Sequence, residues 1–132
     1  GAVSAASSFY NAGGSYVNGA SYTTVATFSL SATSLDEFFI ETSVGAVQLY
    51  NWTSAQYFGV NTYLNGLSFN ASTFHRAPAT TNYLYRGGVS FGGIYTATAT
   101  GNLTILVAMN TSNSAVYVAP HFIRVNVLRL KR

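Results

Sequence analysis

The stretch GNLTILVAMNTS, Gly101 to Ser112, is apolar on both alternating sets of positions between Leu103 and Met109. A short apolar run bounded by Gly and by Asn-Thr-Ser suits a buried strand. Successive side chains of a strand face opposite ways. Leu103, Ile105, Val107 and Met109 therefore share one face, and Thr104, Leu106 and Ala108 the other. The first set is wholly apolar and is expected in a core. The second is apolar only in its middle, which points to Leu106 and Ala108 as a subunit contact. Asn102 and Asn110 close the second face at its two ends and are expected in solvent.

Period 2 recurs on both sides of this stretch. In YTTVATFSL, Thr24, Ala26, Phe28 and Leu30 alternate with Val25, Thr27 and Ser29. FFIETSVGAVQLYNW reads as one long strand or two, with Gly45 as a bulge position. Asn65-Gly66, between Leu64 and Leu67, is the strongest turn signal, because both residues tolerate the positive φ of a type I′ hairpin. The pairs Gly87-Gly88 and Gly92-Gly93 predict bends or close backbone approach within a sheet. TFHRAPATTN reads as a loop around Pro78. In HFIRVNVLRL, Ile123, Val125 and Val127 share a face, with Arg124, Asn126, Leu128 and Leu130 on the other. Only residues 34–41 offer a weak helical alternative. About eight short strands at this spacing predict an all-β fold, an antiparallel sandwich of jelly-roll type. Residues 1–21, rich in Gly, Ser and Ala, read as an N-terminal arm suited to strand exchange with a neighbour; residues 22–132 read as the sandwich.

The 132 residues predict one domain. A chain of this size buries roughly two thirds of its unfolded surface and needs no staples. Apolar residues make up 48% and charged residues only 7%, against about 25% in ordinary soluble domains. An uncharged polar surface favours extracellular, capsid or fibre proteins over cytosolic enzymes, and it predicts burial in an oligomer or cover by glycans. There is no cysteine, so no cysteine zinc site can form and the redox compartment stays open. No apolar run is long enough for a membrane-spanning helix. The chain opens on Gly1 without a signal-like segment and reads as a processed chain. Arg124, Arg129, Lys131 and Arg132 are four of the six basic residues. They read as a solvated chain end rather than a nucleic-acid footprint.

Little is available for catalysis. Glu37 and Glu41 would stand roughly 13–14 Å apart along a strand, too far for a glycosidase pair. Asp36 is the remaining carboxylate, and His75 and His121 lack metal-ligand spacing. No nucleophile elbow or phosphate-binding loop occurs. The expectation is no catalytic residue, no metal and no cofactor.

Four N-x-S/T triplets begin at Asn51, Asn70, Asn102 and Asn110, each near an expected strand end. All four are candidate N-glycosylation sites. Among the aromatics, Trp52, Tyr83, Tyr85 and Tyr95 are candidates for an interface or a ligand face.

The segment order carries a resemblance. SYTTVATFSLSATSLDEFFIETSVGAVQLYN (residues 21–51), GGIYTATATGNLTILVAMNTSNSAVYV (residues 92–118) and the closing HFIRVNVLRL are similar to C1q/TNF-like jelly-roll modules of viral and phage fibre heads. Phe91, Gly93 and Tyr95 loosely match that module's aromatic and glycine positions. The resemblance covers residues 22–130 and implies a sandwich of ten or fewer strands that trimerises and works by contact. LYRGGVSF also resembles a strand of picorna-like capsid jelly rolls. The resulting expectation is a non-catalytic subunit of an extracellular homo-oligomer, on a virion or a cell-surface filament. Its partners are copies of itself, as trimer or polymer. The alternative is a trimeric module that recognises a glycan or a host receptor.

Overall fold

The computed structural model describes residues 3–49, 56–75 and 85–130. They form nine strands: β1 (Val3–Asn11), β2 (Val17–Asn18), β3 (Thr23–Ala32), β4 (Glu37–Leu49), β5 (Tyr57–Leu64), β6 (Leu67–His75), β7 (Tyr85–Thr96), β8 (Gly101–Thr111) and β9 (Tyr117–Leu130). Sheet A has the order β1-β9-β4-β7, with β2 also on β9, and sheet B the order β3-β8-β5-β6. All pairings are antiparallel. Eight long strands pair in a nested set, β1 with β9, β3 with β8, β4 with β7 and β5 with β6, alternating between the sheets. Two further pairings, β4·β9 and β5·β8, join the nested pairs within each sheet. A long antiparallel hairpin rolled up in this way is a jelly roll.

Alternation explains why the sheets face each other. Phe38, Ile40 and Val44 of β4, and Ile123, Val125 and Val127 of β9, meet Phe58, Val60 and Leu64 of β5 and Leu103, Ile105, Val107 and Met109 of β8. Nearly all of these are fully buried. The β5–β6 turn follows the sequence reading: Asn65 and Gly66 have φ of 48° and 85°, as a type I′ turn requires. The turn is tied to β8, because the Asn65 Oδ1 accepts the Thr104 N–H at 2.8 Å.

β7 shows what its glycines are for. A Cβ on Gly87 would lie 2.5 Å from the Phe74 ring, one on Gly92 3.0 Å from the Phe39 ring, and one on Gly93 3.1 Å from the Phe69 ring. Two rings from β6 and one from β4 thus lie close against β7 backbone.

Several expectations are corrected. Residues 34–41 form a turn and the start of β4, not a helix. Thr24 does not share a face with Ala26, because a register shift between them turns Thr24 outward, opposite Ala108. The bulge at Gly45 lies across from it, where His121 is the extra residue between Pro120 and Phe122. Gly45 makes room for the Phe122 ring, which a Cβ there would strike.

Within the stretch read as an N-terminal arm, Val3–Asn11 and Val17–Asn18 form β1 and β2, both paired with the chain's own β9. Their small side chains let β1 lie along β9, and the following segment is stitched down by backbone bonds. Gly14 donates to the Pro120 carbonyl at 2.9 Å, and Gly19 and Thr111 bond each other.

Arg129, expected in a solvated chain end, folds back. Its Nη1 lies 3.6 Å from the Asp36 carboxylate, its Nη2 donates to the Ser31 carbonyl at 2.6 Å, and its guanidinium stands over Phe38. Asp36 also accepts the Thr33 N–H at 2.9 Å, so one carboxylate closes the β3–β4 turn and holds β9 to it.

Candidate functional site

The two outer faces differ in chemistry, and the sequence of the strands dictates the difference. The four strands of sheet B contain no Asp, Glu, Lys or Arg. Their outward positions come from the odd residues of β5, Tyr57, Gly59, Asn61 and Tyr63, because Phe58, Val60, Thr62 and Leu64 are spent on the core. Register then sets the neighbours. Thr27, Leu106, Tyr63 and Ser68 form one row across the sheet, and Thr24, Ala108, Asn61 and Ala71 the next. The third row places Asn110 beside Gly59, with Tyr22 at the strand entry.

Gly59 is the low point of this face. A Cβ there would meet the Asn110 Oδ1 at 2.5 Å and the Tyr22 hydroxyl at 3.1 Å. Asn110 donates its Nδ2 to the Ala20 carbonyl at 2.9 Å, while its buried Oδ1 has no partner among the described residues. Asn61 accepts from the Ser68 hydroxyl at 3.1 Å and is itself only 8% exposed. Tyr57 packs on His75 with ring centres 5.4 Å apart. Burial, and then the nearby phenols of Tyr63 and Tyr57, raise the Tyr22 hydroxyl above its usual pKa of 10.0, since both disfavour a phenolate.

The outer face of sheet A carries the charge. Glu37 and Glu41 lie on β4 and Arg124 on β9, where Arg124 covers the Tyr10 ring of β1. One row is apolar across all four long strands: Ile94, Phe39, Leu128 and Ala6. Ile94 is 54% exposed. Phe39, Leu128 and Ala6 line a groove of about 470 Å³ that Glu41, Asn126 and Ser8 bound on the polar side.

Among the described residues, those singled out in the sequence do not converge. Asn51, Trp52 and Tyr83 lie outside the described residues, as do residues 76–82 of the loop expected around Pro78, whose first three residues, Thr73, Phe74 and His75, instead end β6, and Tyr85 is placed on β7 by its backbone alone. Tyr95 is half-buried on the inner side, edge-on to Phe69 with centroids 6.1 Å apart. Leu106 and Ala108 are on the outer face of sheet B, as the alternation predicts. Leu106 is half-buried, and Ala108 is 3% exposed within the single chain, which leaves it almost no surface for a partner.

Of the N-x-S/T asparagines, Asn102 is exposed. Asn110, expected in solvent, is buried at 8% exposure because residues 19–22 fold over it. Asn70 points between the sheets, and its Nδ2 donates to the Gly92 carbonyl at 2.7 Å. The residues that sequence reasoning missed are Tyr22, Tyr57, Asn61 and Tyr63. The alternation in YFGVNTYL, polar or aromatic on the odd positions and apolar on the even ones, is the signal that would have found the last three.

Among the described residues no three His, Asp or Glu side chains gather as a metal site would require.

Known structures share this architecture. A chain of dimeric latent PorU from Porphyromonas gingivalis superposes with a TM-score of 0.64 at 11% identity, over 94% of this chain and 13% of that one. A chain from the structure of infectious bursal disease virus, Gx strain, superposes with a TM-score of 0.58 at 12% identity, over 96% of this chain and 33% of that one. The Gt strain gives 0.53 at 11% identity. The chain thus spans a third or less of the proteins it resembles, and the likeness is one of fold. No protein-family model and no curated protein matches the sequence.

Proposed function

We propose that this chain is a non-catalytic structural subunit of an extracellular homo-oligomeric assembly, at a virion surface or in a cell-surface filament. One observation carries the reading: the outer face of sheet A presents an apolar row across the sheet, Ile94–Phe39–Leu128–Ala6, with Glu37 and Glu41 on the rows beside it and Arg124 one row beyond Glu41. Apolar surface of this kind, rimmed by polar groups, is the usual mark of a protein contact. The face holds both signs of charge, so two copies can meet on it without like-charge repulsion. A jelly roll found also in a virus structure supports the virion form. A trimer of the C1q/TNF-like kind and a polymer closed by strand addition are the two geometries open to it. Among the described triplet asparagines, Asn102 is the exposed one and can carry a glycan away from that contact.

Sedimentation at micromolar concentration tests the reading. The expected result is a stable oligomer that Leu128→Asp and Phe39→Asp each convert to monomer. A wild-type chain that stays monomeric at that concentration overturns it.

A further inference from the structure

We propose a binding site for neutral saccharides on the outer face of sheet B, centred on Asn61 and walled by Tyr22, Tyr57 and Tyr63. This is a second surface, on the other sheet from the assembly face, and it does not depend on that reading.

Three observations lead there. Among the described residues the face has no carboxylate, ammonium or guanidinium, and His75 is the only titratable group on it besides the tyrosines. An anionic or cationic ligand would find no counter-charge, whereas a neutral ligand loses nothing by this.

Next, two almost fully buried amides keep unspent hydrogen-bonding capacity. Asn61 and Asn110 are each 8% exposed. Asn61 accepts from Ser68, yet its Nδ2 has no partner among the described residues, and it is not sealed from solvent. Asn110 spends its Nδ2 on Ala20 and leaves its Oδ1 free. A buried polar side chain normally has its bonds made within the protein. Asn61 thus presents a fixed donor on the face, while the Asn110 Oδ1 on the adjacent row, two residues along, is sealed from solvent beside Gly59 and the Tyr22 hydroxyl.

Finally, aromatic rings flank them. Tyr57 and Tyr63 lie on the same face of β5 as Asn61, and Tyr22 closes the third side over Gly59. Tyrosines combine an apolar ring with a hydroxyl that both donates and accepts. A sugar has the matching pattern: apolar C–H faces to lie on rings, and equatorial hydroxyls that donate and accept at once. The span from Tyr57 to Tyr63, roughly 20 Å of strand, suits a short oligosaccharide. The raised hydroxyl of Tyr22 stays protonated at neutral pH and so remains a donor. Because the tyrosines and amides sit on paired strands, the site is built before ligand arrives, which lowers the ordering cost of binding.

The test is a set of immobilised neutral, sialylated and sulfated oligosaccharides probed with the full chain, followed by NMR titration with the best neutral ligand. The expected result is binding to a neutral glycan, with the Asn61 side-chain amide signals shifting on titration of unaltered protein. Asn61→Ala and Tyr63→Ala each weaken binding roughly tenfold, about the worth of one or two lost contacts, while their thermal unfolding stays cooperative. Leu128→Asp, which disrupts only the assembly face, leaves the affinity per chain unchanged. The proposal is overturned if no neutral glycan binds, if sulfated or sialylated glycans bind instead, or if Asn61→Ala binds as wild type does. A chain that assembles but binds no glycan removes this proposal and leaves the structural one standing.

Discussion

Thr42 and Thr62 place their hydroxyls 2.8 Å apart in the buried space between the two sheets. Thr42 belongs to β4 of sheet A and Thr62 to β5 of sheet B, and they are 1% and 0% exposed. Each hydroxyl satisfies the other. Thr42→Val should cost about 1–3 kcal/mol, because it strands the Thr62 hydroxyl in an apolar core. The double change Thr42→Val with Thr62→Val should recover most of that loss, since both polar groups then leave together. Urea unfolding of the two singles and the double decides it. Strictly additive losses would show that the pair is not the cause.

Gly87→Ala should destabilise the sandwich by about 1–3 kcal/mol through overpacking. The added carbon would sit 2.5 Å from the Phe74 ring, and Phe74 is stacked on Phe58 at 5.3 Å and cannot easily retreat. Phe74→Leu in the Gly87→Ala background should restore part of the loss in a thermal melt. No interaction between the two changes would contradict this account.

Tyr22 links stability to alkaline pH. Its folded pKa lies above its unfolded one, first through burial and then through Tyr63 and Tyr57. The folded chain therefore holds the phenolic proton more tightly. The contribution is fully present below about pH 10 and is lost as pH rises through the folded pKa. Tyr22→Phe should remove this part of the alkaline loss and leave neutral-pH behaviour little changed. Urea midpoints measured on both proteins across that range should diverge; parallel curves would show that Tyr22 does not titrate with a shifted pKa.

Asn102 should be the acceptor among Asn70, Asn102 and Asn110 when the chain passes through an N-glycosylating secretory pathway. The Nδ2 of Asn70 is bonded to Gly92 and that of Asn110 to Ala20, so a glycan on either would break the fold locally. Intact mass and peptide mapping of soluble, folded protein would show it. A glycan mapped to Asn110 in that material would be incompatible with the burial described.

Much of the fold was legible from local pattern. Alternation in LTILVAM placed Leu103, Ile105, Val107 and Met109 in the core, and Asn65-Gly66 marked the hairpin, because both signals are set by residues close in sequence. Faces were harder wherever register shifts. Thr24 changed sides through a bulge that no pattern in YTTVATFSL announces, and the bulge near Gly45 belongs to a partner strand more than seventy residues away.

The site was less legible for the same reason. Tyr57, Asn61 and Tyr63 share a face by strict alternation and could be read off β5 alone. Their meeting with Tyr22 and Asn110 depends on β5 pairing with β8, and on residues 19–22 returning over that edge. The sequence by itself determined an all-β chain with few charges, strands of known core face, and no charge in what became sheet B. These are properties of composition and of period 2. The tertiary structure alone decided that Asn110 is buried while Asn102 is not, that residues 3–11 pair with the chain's own β9, and that Arg129 turns back to Asp36. Each is a contact between segments far apart in the chain. Such contacts arise from the nested pairing of the jelly roll, which local propensity does not encode.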